Sequence, residues 1–232
     1  MKHVHTHKME GMPMNIRLPK QFSYKEKRGN GYAYVKKHKL IIIGPVNFES
    51  LMYKLTYEIY GNDTCRYCGA KLNRKIRTLD HMYPRAFGGI SVPNNLLPAC
   101  KHCNQEKMDM TFEQYKTYQS LKTPADRKIF YTRCFNKNTT RLQSGHFILN
   151  SKWIEMYDIS PITSHFTFKN ISQERINEID QYYKAYRSFP HPLIVSGNDW
   201  LFYGKHILYY AKRHKINKVS AIVLHNVEVF DR

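Results

Sequence analysis

Asp80-His81-Met82-Tyr83-Pro84-Arg85-Ala86-Phe87-Gly88-Gly89, followed by Asn94-Asn95-Leu96-Leu97, lies between two Cys-x-x-Cys pairs, Cys65/Cys68 and Cys100/Cys103. Thiolates at this spacing can hold one tetrahedral ion, and two pairs make a closed, all-thiolate zinc site. The interval between the pairs exceeds the roughly 15–20 residues of a simple zinc ribbon, so the run between them must form structure of its own. Two disulfides or four buried thiols are the other uses of such cysteines. The N-terminus shows no apolar stretch with a cleavage site, so cytoplasmic reduction is expected to keep the thiols free for structural zinc. Cys134, the odd fifth cysteine, is expected to be inert.

A zinc knuckle needs no Asp-His pair, no Arg and no Gly-Gly turn, so residues 80–89 ask for a separate explanation. Thr78 to Tyr83 reads as a short strand, Phe87-Gly88-Gly89 as a turn, and Val92 to Ala99 as a returning arm that delivers the second cysteine pair. A helix is expected to open at Asn104 after Cys103. Thr111-Phe112-Glu113-Gln114 has the form of a capping box, so a further helix should run to about Leu121.

These residues resemble the zinc-stapled branch of the HNH endonucleases, patterned CxxC, DHxxPRxxGG, NL, CxxCNxxK. Here they are Cys65 and Cys68, Asp80-His81, Pro84-Arg85, Gly88-Gly89, Asn95-Leu96, Cys100, Cys103-Asn104 and Lys107. The resemblance implies an α+β fold whose nuclease core is of the ββα-metal, treble-clef-like type. It implies His81 as general base, since a neutral imidazole can take a proton from water near neutral pH. It implies that Asp80 and Asn104 hold a divalent cation, Mg2+ or Mn2+, and that Asn95 ties the hairpin to the helix. Asn104 stands where many members carry a second His. An amide oxygen is a harder, weaker ligand than imidazole, so Ni2+ or Zn2+ should activate less well. Arg85 and Lys107 are candidate phosphate contacts, Arg through its fork of donors and Lys as a point charge; the plain alternative is a solvated basic face. His102, inside the second knuckle, is expected to be exposed.

Composition points to the same class of partner. The chain has 37 Lys and Arg against 18 Asp and Glu, a formal charge of +19 over 232 residues, which gives salt-sensitive affinity for a polyanion. No apolar run approaches the roughly 18 residues of a spanning helix. DNA, double-stranded, is the expected partner. The competing class is a noncatalytic zinc-stabilised module that binds nucleic acid by charge alone, and an acid beside a base has no use in such a binder. A secreted toxin is disfavoured. The expected setting is the cytoplasm of a bacterium or of a phage-infected host.

The chain is longer than a nuclease module needs, and four regions are expected. Residues 1–30 form a flexible basic arm with alternating His3, His5 and His7. Residues 31–121 form the nuclease domain, with a hairpin from Tyr32 to Ile43 and a helix capped by Asn47 leading into the first knuckle. Residues 122–170 connect it to an α/β domain at 171–232. That last region reads as a helix from Ser172, a strand at Pro192–Val195, a second at Trp200–Phe202, a helix from Lys205 and an apolar strand at Val219–Leu224. This order resembles the ParB-like or sulfiredoxin-like fold. Where that fold carries a motif like DGxHR, this chain has Tyr203-Gly204-Lys205-His206-Ile207, and the helix start could hold a phosphate or be a plain turn. The domain could place the nuclease on DNA or join two chains as a homodimer.

Overall fold

The computed structural model describes residues 14–27, 29–87, 89–143, 154–162, 168 and 170–230. The chain divides into two compact units, Ile16–Phe147 with Val229–Arg232, and Met1–Asn15 with Ile148–Glu228.

In the unit that holds the cysteine pairs, strands β1 (Ser23–Lys25), β2 (Tyr32–Lys36) and β3 (Lys39–Ile43) form an antiparallel meander. Alternation along β2 and β3 buries Ala33, Leu40 and Ile42, the period of a half-buried strand. Helix α1 (Phe48–Tyr60) follows, its N-terminus closed by Asn47, whose Oδ1 accepts from Ser50 N at 2.9 Å. Leu51, Met52 and Leu55 are the buried stripe of α1. The hairpin of β4 (Arg77–His81) and β5 (Leu96–Cys100) is antiparallel, with Asp80 opposite Leu97 and His81 opposite Leu96. Helix α2 (Lys101–Lys107) leaves β5 without a loop, Cys100 serving as its N-cap by accepting from Cys103 N. It therefore begins before the expected Asn104, because the second cysteine knuckle is itself the first helical turn. Helix α3 (Phe112–Ser120) starts at the expected capping box, with Thr111 and Gln114 exchanging both bonds.

Helix α4 (Pro124–Gln143) and strand β6 (Glu155–Asp158) occupy parts of the expected connecting region. Residues 1–13 of the expected arm, with His3, His5 and His7, lie outside the described residues. Of the remainder, Met14 and Ile16 are buried and β1 is a paired strand, so apolar side chains anchor what its polar composition suggests is loose.

The other unit contains β6, α5 (Gln173–Tyr186), β7 (Leu193–Ser196), β8 (Leu201–Tyr203), α6 (Lys205–Arg213) and β9 (Lys218–Leu224). Its sheet order is β6-β9-β7-β8, with β7 and β9 parallel and the other pairs antiparallel. One core gathers Ile176 and Ile179 of α5, Leu193 and Val195, Leu201, Ile207, Leu208 and Tyr210 of α6, and Val219 and Ala221. The last described strand, β10 (Val227–Phe230), is the neighbour of β3 in the sheet of order β1-β2-β3-β10. No helix among the described residues is long and apolar enough to cross a membrane.

Candidate active site

The four cysteine sulfurs lie within 4.8 Å of one another, and Cys68 Sγ is 4.0 Å from Cys100 Sγ. Four sulfurs about 2.3 Å from a single tetrahedral ion stand about 3.8 Å apart, so this donor set fits zinc with little adjustment. At Cys65, burial raises the thiol, but backbone N–H groups outweigh it and pull the pKa down to about 7, whereas Cys103 is pushed up by burial first and Cys68 is also raised, so it is an ion's charge that would draw off the remaining protons. Around the cluster sit Ala99, Met110, Tyr115 and Cys134. Cys134 is buried, in keeping with an inert thiol, and His102 is exposed.

Adjacent residues of a strand point to opposite faces, and this separates Asp80 from His81 at the end of β4. Asp80, 4 % exposed, is on the face with α2. Lys107 Nζ lies 3.3 Å from its Oδ1 and 3.2 Å from its Oδ2, and donates to His81 O at 2.9 Å. The Tyr67 hydroxyl, from within the first Cys-x-x-Cys loop, donates to Asp80 Oδ2. Burial raises the Asp80 carboxyl and lowers the Lys107 ammonium, each shift opposed by the partner's charge. Lys107, expected against phosphate, is instead wholly buried: the last turn of α2 points its stem inward, and an ammonium held there must have the carboxylate. Asn104 Nδ2 donates to Thr78 Oγ1 at 3.2 Å. Lys107 and Tyr67 thus engage both Asp80 oxygens, and Asn104 is bonded through its amide nitrogen, which leaves its amide oxygen as the group that would face a cation.

His81 faces the other way. Its Nε2 is 3.0 Å from Ser91 Oγ, and Ser91 Oγ is 3.4 Å from Glu49 Oε1 of α1. The same Glu49 oxygen receives Tyr53 OH at 2.7 Å and Arg85 Nη1 at 3.4 Å. The Arg85 side chain is 66 % exposed, so its guanidinium is accessible. Burial is the largest influence on His81, followed by the positive charges of Arg85 and Lys107; together they lower its pKa to about 4.

The loop between the strands is tied by Asn95. Its Oδ1 accepts from Tyr83 N at 2.8 Å, and its Nδ2 donates to Tyr83 O and Ile90 O at 3.1 and 3.0 Å. Asn95, which the resemblance implies ties the hairpin to the helix, here fastens the loop that carries Ser91, its side-chain bonds among the described residues running to Tyr83 and Ile90. Gly89 cannot be replaced within this loop, since a Cβ there would stand 1.9 Å from Tyr83 O. Gly88 lies outside the described residues.

In the other unit, Gly204 precedes α6 at φ 101°, where a Cβ would meet Leu193 Cδ2 at 2.4 Å. Lys205 Nζ donates to Asn170 O and His206 Nε2 accepts from Ser172 N, the N-cap of α5. A cavity of about 250 Å³ is lined by Gly204, Lys205 and His206 together with Arg175, His191 and Tyr203.

Sequence reasoning missed Glu49, Ser91 and Tyr67. Tyr67 sits inside a motif that was singled out, whereas Glu49 and Ser91 meet His81 only through folding.

A two-stranded hairpin running into a helix, stapled by four cysteines and ending its first strand in an acid and an imidazole, is a ββα site. Residues 65–117 match the family of HNH endonucleases. No curated protein matches the chain.

Proposed function

We propose that this chain is a metal-dependent endonuclease that hydrolyses phosphodiester bonds of double-stranded DNA, with His81 as general base. The observation that carries the reading is a half-buried imidazole, its pKa lowered to about 4, at the end of a hairpin tied to four clustered cysteines within the segment matching the family. A neutral imidazole accepts the proton of a water as its oxygen attacks phosphorus. The new P–O bond forms, the bond to the 3′-oxygen breaks, and that oxygen takes a proton from solvent. The products are 5′-phosphate and 3′-hydroxyl ends. Arg85, exposed beside His81, is the candidate contact for the phosphate.

The family match supports a divalent cation, Mg2+ or Mn2+, as cofactor; when bound it would offset charge at the phosphate. Asp80 and Asn104 are the residues that would hold it, with Lys107 and Tyr67 keeping the Asp80 carboxylate in place, and the proton transfer and phosphate contact rest on His81 and Arg85. The charge of +19 supports a nucleic-acid substrate, and the C-terminal unit is assigned to holding DNA or a second chain, in a cytoplasmic setting. Supercoiled plasmid incubated with Mg2+ or Mn2+ should be nicked or linearised by the wild type and left intact by His81→Ala. Intact plasmid with the wild type under every divalent ion overturns the enzyme reading, and equal cutting by the variant removes His81 as base.

A further inference from the structure

We propose that Glu49 and Ser91 are positioning residues that hold His81 as its Nε2–H tautomer, leaving Nδ1 as the proton acceptor; this rests on His81 being the base. A neutral imidazole carries one N–H, and its partner decides which nitrogen bears it. The partner here is Ser91 Oγ, 3.0 Å from Nε2. Serine has a single proton to give. Away from the ring the hydroxyl meets two acceptors, Glu49 Oε1 at 3.4 Å and the oxygen of Tyr53, whose own proton goes to Glu49 at 2.7 Å, so the Ser91 proton is drawn toward this pair. Ser91 is then an acceptor toward the ring, and Nε2 carries the hydrogen.

Each link is held from behind. Glu49 lies in the first turn of α1 behind the Asn47 cap, and Tyr53, one turn on, donates to the same oxygen at 2.7 Å. Arg85 Nη1 adds a third donor at 3.4 Å. Ser91 is placed by the loop that Asn95 fastens at Tyr83 and Ile90. When water gives its proton to Nδ1, the ring becomes a cation with both nitrogens protonated, and the Glu49 carboxylate lies two hydrogen bonds away to offset it. Glu49 comes from outside residues 65–117, the segment that matches the family. The N-terminal helix is therefore part of the working site.

Nitrogen-15 histidine spectra of the zinc-loaded full chain at neutral pH, with His81 assigned by loss of its signal in His81→Gln, read the tautomer directly. The wild type should show Nε2–H. Ser91→Ala and Glu49→Gln should show a mixture, lower kcat on plasmid by roughly tenfold or more with KM little changed, and melt where the wild type does. Ser91→Thr, which keeps the hydroxyl, should restore both readouts. An Nδ1–H signal in the wild type, or a tautomer unmoved in Ser91→Ala, overturns the relay. Wild-type kcat in both variants also overturns it while leaving the nuclease reading intact. A wild type that cuts nothing overturns the base role that the relay serves, while the spectrum still reads which nitrogen bears the hydrogen.

Discussion

At His81 the environment and the proposed role can be weighed against each other. The ring's pKa falls from the ordinary 6.5 to about 4, through burial first and the charges of Arg85 and Lys107 next, with Glu49 opposing. The folded state thus binds fewer protons than the unfolded one between those values. Its contribution to stability is full above about pH 6.5 and is lost as pH falls through about 4. For catalysis the base form is populated down to that same point, so the acid limb of kcat/KM should lie near pH 4; a limb at 6.5 would show an exposed ring. Lys107 offers a second measurement. Removing one partner of a buried ion pair costs about 3–5 kcal/mol, so Lys107→Met should lower unfolding stability by about that much in denaturant titration. A loss of only a few tenths would mean that the ammonium reaches water. The sequence made Asp80 and His81 legible because they are neighbours at fixed spacing. It could not show that Lys107 is buried, since a lysine in a chain this basic reads as surface until its contacts are known.

At the scale of elements, the legible pieces were those with local signals. The box at Thr111, the Asn47 cap, and the alternation of β2 and β3 are written within a few residues, and the structure has each of them. Helix α4 and strands β1, β6 and β10 were missed, because a polar helix has little periodicity and short strands take their identity from partners distant in sequence. The hairpin and α2 depend on the cysteine cluster, which joins the turn after α1 to the start of α2. Elemental analysis should find about one zinc per chain, as a four-thiolate site requires. Cys65→Ser should lose that ion and lower the melting transition. An unchanged transition without metal would leave the cysteines as ordinary core thiols.

For the molecule as a whole, composition spoke to partner class and little else. A charge of +19 is a statement about polyanions and association, not about fold. The division into two units was only partly visible, because one of them draws on both ends of its sequence: Met14 bridges Leu224, and Met14 O accepts from His225 N. The parallel pairing of β7 with β9 is equally nonlocal. The candidate site was read as a motif of about forty residues, yet its relay reaches back to α1, and distance in sequence hides such partners.

Tyr67 lies between two of the cysteines, and its hydroxyl rests on Asp80. The loop that brings two sulfurs to the cluster is thus also the loop that delivers a proton donor to Asp80, the neighbour of His81. Loosening the four cysteines would therefore loosen the hold on Asp80 as well, so a substitution in the cluster should be felt at the end of β4 and not only at the knuckles.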